Sequence, residues 1–208
     1  MTDALVAPAL PESLEAAGWE QVDERTETVF EMAAIRIRGA TRRSEDERTR
    51  DTLRAATGID HPLRFLAATR LGFQPSLPPG ISPKLFAPTL RSQLRSAFAD
   101  ELEERGLVDV THEGKDRQRL AAGSRVYLNE YTGTAPLDDH DGSLPLECWV
   151  ALWISGGVVR IVSGGFPAVV LAEHFEVDEA EESLQQSPEA YREFFFEVLD
   201  DTAVLAAE

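Results

Sequence analysis

The run from Cys148 to Ile154 carries an apolar side chain at every position. Successive side chains of a β-strand point to opposite faces of its sheet, so a strand of this composition must be covered on both sides. The run therefore favours a sheet that has a layer packed against each face.

Antiparallel strands joined by tight turns are predicted over residues 107–167. The turns are expected at Glu113-Gly114-Lys115, Ala122-Gly123 and Ser155-Gly156-Gly157, where glycine and polar residues interrupt apolar runs. This short spacing is typical of hairpins, and it places most of the sheet in the second half of the chain.

The first half of the chain adds further strands and one helix. Residues 19–43 alternate with few turn residues, and a bulge near Ala33-Ala34 would keep their apolar side chains on one face. A capping box at Ser44, with Glu47 three residues on, begins a helix that ends at Gly58. Residues 63–73 are predicted to form another strand.

Two amphipathic helices are available to cover the sheet. The first spans Pro88–Arg105 and the second begins at Ser187-Pro188. We predict an α+β fold: a largely antiparallel twisted sheet of about six to eight strands with helices covering both faces, an α/β/α sandwich. Residues 1–10 are expected to be a loosely ordered segment, and residues 11–208 a single α+β domain.

The charge of the chain is extreme, at −17, with 37 acidic and 20 basic residues. Only two of the bases, Lys84 and Lys115, are lysines. A surface rich in acidic residues and poor in lysine suits a salt-rich cytoplasm, because repulsion between its charges is screened within about 3 Å at 1 M salt. The alternative interpretation is an acidic protein from an organism that is not salt-adapted. The charge argues against nucleic-acid binding, whose affinity comes largely from Lys and Arg.

Localisation and cofactor predictions follow from what the sequence lacks. Residues 1–11 have no secretory or lipidation signal, and no apolar run reaches the roughly 18 residues of a membrane span. We therefore expect a cytoplasmic protein that does not bind membranes. Cys148 is the only cysteine and is interpreted as a buried, inert thiol. No cofactor motif is present, so none is predicted.

A ligand pocket is one candidate site, at the end of the sheet where Gly164 and Gly165 follow a strand and near the proline-rich loop of residues 74–83. Their amides could bind an anion, although close backbone packing is the favoured interpretation. Tyr127 and Tyr131 alternate with Asn129 on one strand face and are the other candidate ligand-binding residues.

A cation site in the acidic loop Asp138–Asp141 is a weaker candidate. Its oxygen ligands suit Ca²⁺ or Mg²⁺, but the ligand alternation and distal glutamate of a calcium loop are missing. No metal ligands are assigned, and chance clustering in an acidic chain is the preferred interpretation.

An arginine-rich stretch is the best candidate for binding an acidic protein partner. Residues 35–55 contain seven basic and four acidic residues, a local charge of +3. Intramolecular pairing along a helix is the alternative interpretation. The candidate partner-binding residues are Arg36, Arg38, Arg42, Arg43, Arg48 and Arg50.

Residues 124–167 resemble an uncharacterised haloarchaeal family in their Tyr-rich strand, Trp-rich strand, Gly-Gly turn and final Gly-Gly-Phe-Pro. The similarity extends through Gly18-Trp19, Thr57-Gly58 and Gly106-Leu107 to nearly the whole chain, but its motifs are structural and imply no activity. The order of elements also resembles the sandwich of the PsbP and Mog1 proteins, which implies an assembly or binding role.

The sequence thus indicates no specific function. No catalytic constellation is found, which favours a non-catalytic binding or accessory protein acting through a surface patch. The alternatives are a small-ligand-binding protein or enzyme with a pocket at Gly164-Gly165, and a divalent-ion protein. Nothing in the sequence sets the oligomeric state.

Overall fold

The fold is built on one antiparallel sheet of seven strands, in a computed structural model that describes residues 5–32, 35–137, 142–178 and 181–206. The strands lie in the order β1-β2-β3-β7-β6-β5-β4. Their bounds are β1 Trp19–Met32, β2 Ile35–Asp46, β3 Phe65–Gln74, β4 Val108–Arg119, β5 Arg125–Pro136, β6 Ser143–Ser155 and β7 Val158–Pro167.

Two long helices and three shorter ones accompany these strands; α2 and α3 connect strands, α1 precedes β1, and α4 and α5 follow β7. Their bounds are α1 Ser13–Ala16, α2 Glu47–Thr57, α3 Ala87–Glu104, α4 Leu171–His174 and α5 Pro188–Leu205. Single 3₁₀ turns at Pro83–Phe86 and Glu182–Leu184 precede α3 and α5. None of the helices within the described residues is long and apolar enough to cross a membrane.

The sheet consists of two meanders. Strands β1, β2 and β3 follow one another, as do β4, β5, β6 and β7, and the two sets join where β3 pairs with β7. The predicted α+β fold with a largely antiparallel sheet is confirmed.

Helix α3 covers one face of the sheet. Its Phe98 and Leu102 are buried in a core with Val150 and Leu152 of β6 and Phe65 of β3. Helix α5 covers the other face, where Phe195 and Leu199 pack with the tryptophans of β6. The molecule therefore has two separate hydrophobic cores, one on each side of the sheet.

Strand β6 explains why the sequence required both layers. Cys148, Val150 and Leu152 belong to the α3 core, whereas Trp149 and Trp153 belong to the α5 core. All five are at most 2% exposed. The prediction that both faces of this strand are covered is confirmed.

The glycines of β7 are places where neighbouring side chains approach the backbone closely. A Cβ atom built on Gly165 would lie 2.3 Å from Cε1 of Phe65, and one on Gly164 would lie 2.9 Å from Cδ2 of Leu66. The proline-rich loop, which was predicted to lie near these glycines, follows Gln74, at the opposite end of β3 from Phe65, the residue that pairs with Gly165. The two features are therefore well separated in the fold.

Three local predictions were wrong. Residues 19–32 and 35–46 are two paired antiparallel strands, with Met32 paired to Ile35, and not one strand; Ala33-Ala34, where a bulge was predicted, lie outside the described residues. Helix α2 has Asp46, not Ser44, as its N-cap, with Oδ1 accepting from the Thr49 N–H at 3.1 Å. The turn expected around Gly114 is a register shift within β4, because β5 pairs with both halves of that strand.

Candidate functional site

A groove between α3 and the edge of the sheet is the strongest candidate site. We call it the α3–β4 groove; its volume is about 590 Å³. It is lined by Pro88, Arg91, Ser92 and Arg95 of α3, Lys115, Asp116 and Arg117 of β4, and Tyr127, Leu128 and Asn129 of β5.

Regular secondary structure places the side chains of this groove. Arg91 and Arg95 are four residues apart and so lie on one side of α3. In the sheet, Lys115 pairs with Asn129 and Arg117 with Tyr127, two residues further along both strands. Alternation along β4 therefore brings Lys115 and Arg117 to the same face, opposite the two arginines of α3.

The four cations of the groove form no ion pair with any described residue. The described residues contain twelve salt bridges, none of which involves Arg91, Arg95, Lys115 or Arg117. In a chain with 37 acidic residues, this concentration of unneutralised positive charge is unusual.

Asp116 is the one acidic residue among those that line the groove, but its carboxylate is engaged elsewhere. It accepts hydrogen bonds from the backbone N–H of Arg117 at 2.6 Å and from Nε2 of Gln118 at 3.2 Å. These bonds, together with the charge of Arg192 on α5, hold the pKa of Asp116 below its ordinary value. Asp116 pairs with Leu128, a residue of the α5 core, so its side chain belongs to the α5 face of the sheet.

Tyr127 orients two of the cations. The guanidinium carbon of Arg91 lies 4.0 Å from the centroid of its ring, and that of Arg117 lies 5.5 Å away. Arg91 is further fixed by the bond from its Nε to the carbonyl oxygen of Ala87, at 2.9 Å. Its terminal N–H groups donate to no other described residue and remain available to an acceptor.

The floor of the groove is rigid. Tyr131 is buried under α3, where its hydroxyl donates to the carbonyl oxygen of Arg95 at 2.8 Å and its ring meets Phe98 edge-on. Burial raises the pKa of Tyr131 to about 12. Asn129, only 9% exposed, holds Oδ1 3.2 Å from Nε2 of His112. The contacts of Tyr131 anchor α3 to β5, and the contact of Asn129 with His112 joins β5 to β4.

The structure separates the four ligand-binding residues expected from the sequence. Tyr127 lines the groove and Tyr131 lies beneath it, on the same face of β5. Gly164 and Gly165 are in β7, paired with β3 and β6 in the middle of the sheet. They contribute nothing to the α3–β4 groove.

The six candidate partner-binding arginines do not form one surface. Arg43 lies on the α3 face and pairs with Glu101 of that helix at 3.5 Å. Arg36 and Arg42 occupy even-numbered positions of β2 and so point to the face opposite to Arg43. They pair with Glu31 and Glu24 of β1 at 2.9 and 3.0 Å, respectively.

The other three arginines of this set are also dispersed. Arg50 pairs with Glu47 and Asp60, and Nη2 of Arg48 donates to the carbonyl oxygen of Ala16 at 3.2 Å. Arg38 is half-buried and forms no ion pair with a described residue. Intramolecular partners thus account for five of the six.

Sequence reasoning missed all four cations of the groove. The signals that were available were the i, i+4 arginines of α3 and the alternating Lys115 and Arg117. Lys115 is also one of only two lysines. Each signal is weak alone, because no local sequence pattern indicates that α3 packs beside β4.

The candidate cation loop, residues 138–141, lies outside the described residues. Among the part of the chain that the structure does describe, no three His, Cys, Asp or Glu side chains lie close enough together to hold a metal ion.

No curated protein and no solved structure matches the chain. One family profile does, and it covers residues 7–200, which include every residue of the α3–β4 groove. The chain therefore belongs to the family described as a domain of unknown function, DUF6517.

Proposed function

We propose that this chain is a non-catalytic binding protein that takes an anionic ligand in the α3–β4 groove. One observation carries the proposal: four cations converge there with no carboxylate partner among the described residues, in a chain of net charge −17. The partner class expected from the sequence, an acidic protein, fits this groove better than it fits the arginines of β2 and α2.

The groove is already arranged to bind an anion. Like charges brought together repel, and an anionic ligand would remove that cost. Guanidinium groups give strong, directional hydrogen bonds to carboxylate and phosphate oxygens. Since Tyr127 and the Ala87 carbonyl already hold Arg91, little side-chain entropy is lost on binding.

Two structural explanations account for only part of the charge. Cations on an edge strand discourage edge-to-edge aggregation, which would explain Lys115 and Arg117. Stacking on Tyr127 would explain Arg91 and Arg117. Neither explains Arg95, which is exposed on a helix and whose guanidinium has no described partner.

The setting that we propose is a salt-rich cytoplasm, as the acidic, lysine-poor composition suggests. There, long-range attraction is screened within a few ångströms, and direct hydrogen bonds must supply most of the affinity. The forked donors of three arginines suit that requirement.

Calorimetric titration with tripolyphosphate and with citrate tests the proposal. We expect saturable binding of at least one of these anions, weakened about tenfold or more by the double variant Arg95→Glu, Lys115→Glu. The matched control is Arg36→Glu, Arg38→Glu, which reverses two charges on β2 and should leave the affinity unchanged. Equal loss in both variants, or no binding to the native chain, would overturn the proposal.

A further inference from the structure

Strand β4 is an edge of the sheet, and this edge borders the α3–β4 groove. It pairs with β5 on one side, and no described strand pairs with it on the other. Residues 114–119 pair with residues 130–125 in unbroken register, whereas register shifts interrupt the half before Gly114. The regular half therefore offers a short length of unpaired strand edge beside the four cations. On this edge, alternate residues turn their backbone groups away from β5, and the N–H of Arg117 is bonded to Asp116 Oδ1 at 2.6 Å.

We infer that the ligand of the groove is an acidic polypeptide segment in extended conformation, which adds to β4 as an eighth strand. This inference rests on the proposed function, because it assigns the class of anion that the groove takes. Backbone hydrogen bonds to residues 114–119 would supply affinity, and the cations would select the side chains.

The alternation of charge along β4 defines the pattern of that segment. Lys115 and Arg117 point to the α3 face, about 7 Å apart along the strand. Asp116 and Gln118 lie on the opposite face, where an added acidic side chain would meet a carboxylate. A matching segment carries Asp or Glu at every second position, with uncharged residues between.

Two other occupants fit the groove less well. Pairing of β4 with β4 of a second copy would bring cations against cations, and each copy carries −17. Single-stranded nucleic acid gains much of its affinity by stacking bases on exposed aromatic rings. The ring of Tyr127 already has two guanidinium groups over it, those of Arg91 and Arg117.

Titration with three labelled peptides of about eight residues tests the inference. The first alternates Asp with Thr, the second has the same composition with all Asp residues together, and the third is the first with N-methyl groups on alternate backbone amides. Fluorescence anisotropy measures the affinity at low salt and at about 2 M KCl. An oligonucleotide of similar charge is the fourth probe.

The affinity of the alternating peptide should be higher than that of the other two peptides and of the oligonucleotide, by a factor of about ten or more. Binding of the alternating peptide should protect from hydrogen exchange those amides of residues 114–119 that do not already bond to β5. It should also be lost in Arg95→Glu, Lys115→Glu but retained in Arg36→Glu, Arg38→Glu.

The unfavourable outcomes separate the two claims. If all three peptides bind equally, or the oligonucleotide binds best, strand addition is wrong while anion binding in the groove stands. If none of the peptides, tripolyphosphate or citrate binds, both the inference and the proposed function are overturned.

Discussion

Arg64 is the most deeply buried cation of the described residues, at 7% exposed. It forms an ion pair with Asp46 and donates to Thr49 Oγ1 and Gln186 Oε1, each at 2.9 Å. Burial lowers the pKa of Arg64 to about 10, so it stays charged at neutral pH. Since Asp46 also caps α2, this pair joins the start of that helix to the sheet and to the segment before α5.

Replacing Arg64 by methionine should destabilise the protein by about 3–5 kcal/mol, because it leaves Asp46 buried without a cation. Arg54→Met is the matched control. The Arg54–Asp51 pair is exposed, and its loss should cost about 1 kcal/mol or less. Urea unfolding of both variants measures the difference, and similar stabilities for the two would contradict it.

Glu147 and Glu189 should make opposite contributions to the pH dependence of stability. Burial raises the pKa of Glu147 above 4.5, so its contribution is complete below pH 4.5 and is lost as the pH rises through the raised pKa. The backbone N–H of Glu189 and the hydroxyl of Ser187 lower the pKa of Glu189, so its contribution is present above pH 4.5 and is lost as the pH falls through the lowered pKa.

Glu147→Gln should therefore raise the Tm at neutral pH, whereas Glu189→Gln should lower it. Both differences should shrink in acid, where the carboxyl groups become protonated. Melting curves recorded across this pH range test the signs. A Glu147→Gln variant that is less stable than the native chain at pH 7 would contradict the prediction, because it would mean that the charged form of Glu147 stabilises the folded state.

At the scale of elements, periodicity predicted the parts that pack on the core. Leu90, Leu94, Phe98 and Leu102 recur every four residues along α3, and residues 148–154 of β6 are all apolar. Both patterns reflect faces that are buried in the structure. The change of parity between Phe30 and Ile37 in the apolar pattern was ambiguous, because it fits either one bulged strand or two strands of a hairpin. Only the pairing of β1 with β2 distinguishes them.

The start of α2 was decided by the sheet. Ser44 with Glu47 satisfies the capping-box pattern, but Asp46 with Thr49 offers a cap of equal chemistry. Pairing of Glu45 with Phe65 keeps the chain in β2 as far as residue 45, so the helix begins only afterwards.

The candidate site could be predicted only in part. Alternation along β5 correctly predicted that Tyr127 and Tyr131 share one face of the sheet, but no local sequence pattern indicates that the arginines of α3 lie beside them.

The hydroxyl of Tyr131 is one of the contacts that hold α3 over β5. Tyr131→Phe removes its bond to the Arg95 carbonyl and should cost about 0.5–1.5 kcal/mol. Tyr127→Phe is the control, because the Tyr127 hydroxyl bonds to no described residue, and it should stay within about 0.5 kcal/mol of the native chain. Chemical denaturation measures both, and equal effects would contradict the anchoring role.

At the scale of the whole molecule, negative charge is concentrated toward the end of the sequence. Residues 170–208 hold twelve acidic residues and one base, Arg192, whereas residues 35–55 are locally basic. Arg192 is committed to Glu130 of β5 at 2.6 Å. Much of the self-repulsion of the chain should therefore arise around α4 and α5.

The Tm should rise as KCl is increased to molar concentration, because salt screens this repulsion. The variant Glu193→Gln, Glu197→Gln removes two exposed acidic groups from α5 and should show a smaller rise. Differential scanning calorimetry in a KCl series gives both slopes. A Tm that is flat or falls with salt would contradict the salt-adapted interpretation.

The junction between β3 and β7 has a consequence for the nascent chain. The first meander can form once β3 has left the ribosome. The edge of β3 that faces away from β2 pairs with β7, which begins to be synthesised only at Val158. Until then the segment Phe65–Leu71, largely apolar, presents unpaired backbone groups. Stalled or truncated chains that end before β7 are therefore the form of this protein most prone to aggregate.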